Sequence, residues 1–294
     1  MDLPKLVNKN LPLYTKGKVA SYIPMLASVN PQQLGITLYD LKNNNIKSIE
    51  SISKVITLLW AIKKLGMTKV FKHVSSRQTG FAFNSILNME IENSKMPLNP
   101  FVNAGAILTT SLVASEDAFE DIFSFEQEIC NDPKIYLDEE IYHSEKSTGN
   151  LDRSLAYYMK SKSMMKQDVD LILDIYFKQC SMMVTTRSLA NLGALLANDG
   201  VAPWNNKRLL SSAAATCIKS LMMTTGLYNQ SGVCSRLIGV PTKSGVGGGL
   251  VSASPEKYGV GIFSPALNKD GNSVAGLSLL KDVAKELKMN IFCY

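Results

Sequence analysis

The chain has 294 residues, enough for one large domain or two closely joined ones with a substantial buried core. Apolar residues make up 46% and charged residues 19%, the balance of a soluble globular protein rather than a disordered or fibrous one. The net charge of +6 is spread along the chain, and its densest basic patch (Lys63, Lys64, Lys69, Lys72) reads as the solvated side of a helix, so neither nucleic acid nor a membrane is expected as a partner.

The opening MDLPKLVNKNLPLY carries prolines and charges where an export signal needs an unbroken apolar run. GKVASYIPMLAS (17–28) predicts a short amphipathic helix ended by Asn30 and Pro31. LGITLYD (34–40) alternates as a strand does, and LKNNNIK (41–47) turns into a second extended piece. From Ser51 to Lys64 a helix is expected: Ile52, Val55, Ile56, Leu59, Ile62 and Leu65 trace one face, and Gly66 is its stop signal. Helical patterns then dominate to about residue 225: NSILNMEIEN, NAGAILTTSLVA, RSLAYYMKS, DVDLILDIYFKQC and TTRSLANLGALLAND. Beyond 240 come the Gly-rich, strand-like runs TKSGVGGGLVSAS and KYGVGIFSP, then an amphipathic helix over 276–289. These patterns predict an α+β chain forming a single domain over 1–294. A mostly antiparallel sheet flanked by helices would draw on about 1–65 and 226–294, with a helical lobe from about 66–225. No apolar stretch approaches the ~18 residues of a membrane span.

The chemistry is narrowed by what is scarce. Five scattered cysteines, never paired as Cys-x-x-Cys, point to reduced thiols in a cytoplasmic protein rather than a disulfide frame or zinc site. There are two histidines, His73 and His143, and neither lies near a plausible nucleophile. A hydrolase built on this chain would take lysine, tyrosine or a carboxylate as its base. Ser-x-x-Lys occurs four times, at Ser51, Ser163, Ser254 and Ser278, so the spacing alone selects none of them. Ser51 and Lys54 differ in opening a strongly apolar helix, where the amine lies one turn from the hydroxyl and free backbone N–H groups favour an oxyanion. Lys243-Ser244-Gly245 is the sole Lys-[Ser/Thr]-Gly tripeptide and begins the Gly-rich run. In penicilloyl-serine enzymes such an element faces Ser-x-x-Lys across the active site.

Nine segments, in order, resemble the serine-dependent glutaminases, a family shared by bacterial and by animal kidney- and liver-type enzymes. They are GKVASYIP, SIESISKV, FAFNSILNMEIEN, PLNPFVNAGAI, YHSEKSTGN, YFKQCS, GLYNQSG, PTKSGVGGG and GNSVAGLSL. The resemblance implies a β-lactamase/DD-peptidase-like fold and hydrolysis of the side-chain amide of L-glutamine to L-glutamate and ammonia, through a γ-glutamyl ester of the serine. By position it makes Ser51 the nucleophile and Lys54 its neighbouring base, with Tyr228 the rival proton carrier. Tyr22, Asn103, Glu145, Asp152, Tyr176 and Tyr228 would line the glutamine pocket, and the Val246 N–H would join that of Ser51 in the oxyanion hole. No cofactor or metal is implied, and a homo-dimer or homo-tetramer is expected. Read without the family, Asn103 is a helix N-cap, Tyr22 and Tyr176 are core aromatics, and Glu145 is an exposed loop acid.

Two positions depart from the family pattern. Glu50 stands before the nucleophile where glutamine is usual, and Asp152 stands where asparagine is usual. An uncompensated acid ~5 Å from a substrate carboxylate would cost about 3 kcal/mol at an effective dielectric near 20. Two other readings follow: an amino-acid-binding protein whose turnover these acids have weakened, and a penicillin-interactive acyltransferase or β-lactamase. The latter lacks a Ser-x-Asn or Tyr-x-Asn between its two motifs.

Overall fold

The computed structural model describes residues 1–21, 24–42, 53–86 and 96–293. Its helices of eight residues or more begin with α1 (Leu3–Asn10), α2 (Lys54–Leu65), α3 (Asn103–Val113), α4 (Ala118–Cys130) and α5 (Glu139–Thr148). They continue with α6 (Asn150–Ser161), α7 (Val169–Cys180), α8 (Thr186–Ala197), α9 (Ser212–Thr225) and α10 (Val274–Glu286). Four strands form one sheet: β1 (Gly35–Asp40), β2 (Thr242–Ser244), β3 (Gly249–Ser254) and β4 (Tyr258–Phe263). None of the described helices is long and apolar enough to cross a membrane.

The chain divides into two compact units. The first comprises Met1–Ile52, Gln127–Tyr136 and Met183–Tyr294; the second comprises Ser53–Glu126 and Leu137–Met182. Residues 53–65 thus fall in the helical unit and 183–225 with the sheet, where the sequence pattern assigned each to the other side.

The sheet is antiparallel throughout, in the order β1-β4-β3-β2, and joins strands from both ends of the chain as expected. Gly35 pairs with Phe263 and Asp40 with Tyr258. Alternation along the strands creates two different faces. Ile36, Leu250, Val260 and Ile262 pack with Leu279, Leu280 and Val283 of α10. On the opposite face α8 lies directly against β4, whose residues there include Gly259 and Gly261. A Cβ on Gly259 would stand 2.1 Å from the Ala194 nitrogen, and one on Gly261 would stand 2.1 Å from the Thr186 carbonyl oxygen. Tyr39 packs against Ala190 and Ala194, and the hydroxyls of Thr37 and Thr186 meet at 2.5 Å. This close approach ties α8 to the sheet despite its helical sequence pattern.

In the helical unit, α2 is buried from Val55 to Ile62 and packs against α3 and α7. Gly66 ends it at φ 81°, its N–H returning to Ile62, as the stop signal required. Helices α3, α5, α6 and α7 share a core that includes Ile107, Leu155, Met159, Ile172 and Phe177. The α3, α6, α7 and α8 patterns and the last helix emerge close to their expected bounds. The helix expected over 17–28 is reduced to Pro24–Ala27 among the described residues, because Lys18 instead bridges to Leu267. The NSILNMEIEN pattern lies mostly outside the described residues; Asn84 to Ile86 are not helical.

Candidate active site

The helical unit gathers residues from four helices around the Lys54 amine. Lys54 opens α2 and is half-buried. Its Nζ donates to Asn103 Oδ1 at 2.6 Å and to the Phe101 carbonyl at 3.5 Å, and lies 5.7 Å from the Phe83 ring centre. Burial lowers the amine from its ordinary range, opposed by the acidic groups of Cys180, Asp152 and Glu145.

Asn103 is placed by the preceding PLNPF turn. Asn99 Oδ1 accepts the N–H groups of Phe101 and Val102 at 3.0 and 3.2 Å, and the Asn103 N–H donates to the Phe83 carbonyl at 2.9 Å. A Cβ on Gly105 would sit 1.9 Å from the Asn99 carbonyl oxygen, so this turn can lie on α3 only at a glycine. Asn103 is therefore the first residue of α3 rather than its cap, and its side chain turns inward. Its Nδ2 donates to Asp152 Oδ1 at 2.8 Å.

Glu145 and Asp152 flank the corner between α5 and α6. Asp138 caps α5 through the Ile141 N–H at 3.0 Å. At Gly149 a Cβ would meet the Phe177 ring at 2.6 Å, so the glycine lets this corner close on α7. Glu145 is thus a half-buried helical residue, not the exposed loop acid of the family-free reading. Burial, then the charge of Asp152, raises its carboxyl to about 7, while Lys54 opposes the shift. Burial also raises Asp152, against the Asn103 hydrogen bond and the charges of Lys54 and Arg153. Asp152 thus has a hydrogen-bond donor and two cationic neighbours, and burial outweighs them.

Tyr176 is 4% exposed on α7, and burial raises its hydroxyl well above its usual range. It hydrogen-bonds the thiol of Cys180 one turn later, which burial likewise raises. Cys180 and the Phe101 carbonyl had not been singled out from the sequence. The i, i+4 spacing of Tyr176 and Cys180 was the available signal for the thiol; no side-chain signal marks a carbonyl.

Tyr228, Lys243 and Val246 belong to the sheet-bearing unit. Tyr228 adopts φ 52°, a left-handed conformation costly for an aromatic residue. Neighbouring bonds enforce it: Ser231 Oγ donates to the Tyr228 carbonyl at 2.9 Å and accepts the Leu227 N–H at 3.0 Å, and Asn272 Nδ2 holds the Leu227 carbonyl at 3.1 Å. The Tyr228 hydroxyl donates to the Ser244 carbonyl at 3.1 Å. Lys243, 1% exposed, donates to the same carbonyl and lies 4.7 Å from the Tyr228 ring centre. Burial pushes the Tyr228 hydroxyl up, away from the phenolate. A tight turn between β2 and β3, with Gly248 N–H on the Gly245 carbonyl at 2.9 Å, presents Val246. Among the described residues no acceptor takes the Val246 N–H. Ser51, Tyr22 and Glu50 lie outside the described residues.

The glutaminase family model matches residues 17–292. Glutaminase 1 of Clostridium perfringens is 53% identical, with 99% of each chain covered. The chain belongs to the glutaminase family. Among solved structures, a probable glutaminase of Bacillus subtilis is 33% identical with a TM-score of 0.91, covering 99% of this chain and 96% of that one. A further Bacillus subtilis glutaminase structure is a covalent complex with 5-oxo-L-norleucine, formed by reaction with 6-diazo-5-oxo-L-norleucine. It is 32% identical, with a TM-score of 0.86 and coverage of 99% and 98%. The glutaminase chain accordingly has the β-lactamase-like fold.

Proposed function

We propose that this chain hydrolyses the side-chain amide of L-glutamine to L-glutamate and ammonia, through a γ-glutamyl ester on Ser51. The observation that carries the residue assignments is the assembly of Lys54, Asn103, Glu145, Asp152 and Tyr176, remote in sequence, into one cluster of interacting groups. Support for covalent chemistry comes from the Bacillus relative, whose adduct has the amino-acid head of glutamine and a ketone where glutamine carries its amide.

Lys54 serves as the base. A neutral amine has two hydrogens and one lone pair; Asn103 Oδ1 and the Phe101 carbonyl take the hydrogens, which leaves the lone pair for the Ser51 hydroxyl. The pKa directions favour this assignment over a Tyr228 phenolate, because burial moves Lys54 toward neutrality and Tyr228 away from ionisation. Ser51 Oγ then bonds to the amide carbon, and the carbonyl electron pair moves to oxygen. The oxyanion is held by the N–H groups of Val246 and Ser51, a type of contact worth ~3–4 kcal/mol. Tyr228 relays a proton to the departing nitrogen, and ammonia leaves. Water then cleaves the ester by the same route, restoring the Ser51 hydroxyl and releasing glutamate. Glu145 receives the substrate ammonium, with Asp152, Tyr176, Asn103 and Tyr22 completing the substrate-binding set.

No cofactor or metal enters this scheme. We place the enzyme in the cytoplasm on its cysteine usage and infer a homo-dimer or homo-tetramer, which light scattering on the purified protein would test. For the reaction, ammonia release from L-glutamine, L-asparagine and nitrocefin turnover should be compared between pH 5 and 9. L-Glutamine should be the preferred substrate, and Ser51→Ala should abolish its turnover. Wild-type rates in that variant would refute the acyl-enzyme.

A further inference from the structure

We infer that Asp152 is a positioning residue for Lys54: by accepting the Asn103 amide hydrogen, it keeps an oxygen rather than an NH2 group against the lysine amine. This deepens the assignment of Lys54 as base and rests on it. The asparagine amide has two chemically opposite ends of nearly equal shape, and steric fit alone does not choose between them. Asn103 is 9% exposed, so its ends are set by protein partners. On one side, Asp152 Oδ1 lies 2.8 Å from Asn103 Nδ2; on the other, Lys54 Nζ lies 2.6 Å from Asn103 Oδ1. An ionised carboxylate only accepts hydrogen bonds, so it demands the NH2 end.

Turning the amide would set oxygen against oxygen at Asp152 and NH2 against amine at Lys54. The lone pair of a neutral Lys54 would then accept from Asn103, and the Ser51 proton would have no base. The carboxylate also acts over distance, because its charge favours the Lys54 ammonium. Among the described residues, the charged and titratable groups that act on the amine are Glu145 on α5, Asp152 on α6 and Cys180 on α7; Arg153 acts on Asp152, and Tyr176 bonds Cys180. Of the two carboxyls, Glu145 is raised to about 7, in part by the charge of Asp152, whereas the Asn103 amide, Lys54 and Arg153 each favour the charged, accepting form of Asp152.

The test compares Asp152→Asn and Asp152→Ala with the wild type, reading kcat and KM from pH 5 to 9. Asparagine keeps a carbonyl acceptor and alanine has none, so kcat should fall less in Asp152→Asn than in Asp152→Ala, by about tenfold or more between the two. In both variants the acid limb of kcat should move to lower pH, since the lysine loses a stabilising negative neighbour. The Lys54 titration itself, followed by the 13Cε shift in lysine-labelled protein, should move down in both. That readout does not depend on turnover, so it tests the Asp152–Lys54 link even if glutamine proves not to be the substrate. A rise in KM alone, with the kcat limb and the Lys54 titration unmoved, would overturn the inference in favour of simple substrate contact. Equal kcat losses in the two variants would overturn the orientation lock.

Discussion

Replacing Glu126 with glutamine should stabilise the protein at alkaline pH and do little or mild harm at acidic pH. Glu126 lies on α4 with 1% exposure, and among the described residues its Oε1 has no hydrogen-bond partner. Burial raises its carboxyl from the ordinary 4.5 to about 8. An acid whose folded pKa is raised binds a proton in the native state that the unfolded chain has already released. Stability therefore falls as pH rises from about 4.5 to about 8. At about 1.4 kcal/mol per pH unit, the loss across this window is roughly 5 kcal/mol, with about 3 kcal/mol reached by pH 7. Glutamine has no such titration, but it buries an unsatisfied amide at a cost of about 1–3 kcal/mol. The gain should thus be absent at pH 5 and reach about 2–4 kcal/mol by pH 8.5. Urea unfolding of both proteins at pH 5, 7 and 8.5 measures the difference directly. Parallel stability curves across that range would show that Glu126 ionises without penalty and refute the reasoning.

Two further outcomes follow from the geometry. With Glu145 titrating at about 7, kcat/KM for glutamine should fall as pH drops below neutrality, because the protonated carboxyl no longer pairs with the substrate ammonium. Glu145→Gln should remove that limb and raise KM, as steady-state kinetics at several pH values will show. Gly259→Ala should destabilise by about 3 kcal/mol or more, since its methyl would stand 2.1 and 2.2 Å from backbone atoms of α8. Gly232→Ala, whose methyl meets nothing within 4 Å in a short helix, should be neutral or stabilising by up to about 1 kcal/mol; thermal melts compare the pair.

Much of this molecule was legible in local pattern. The apolar stripe of α2, its Gly66 stop, the α3, α7 and α8 periodicities and the strand-like ends all depend on short-range spacing, which residues carry wherever they fold. The order of the nine motifs was likewise readable, and with it the family. Three matters were decided by tertiary structure. One was the membership of α8: its helical pattern is real, yet Gly259 and Gly261 allow its backbone onto the sheet, a fit made between segments distant in sequence. Another was the character of Glu145, whose neighbours Asp152 on α6 and Lys54 on α2 lie on other helices and act on it only in the folded chain. The last was Asp152, which in sequence is an unexplained acid in place of an amide. In the fold it meets an asparagine that bonds a lysine, so its charge acquires a direction. Periodicity follows from the geometry of one chain segment, whereas hydrogen-bond partners and desolvation depend on which segments meet. That is why the elements could be read in advance and the electrostatics of the site could not.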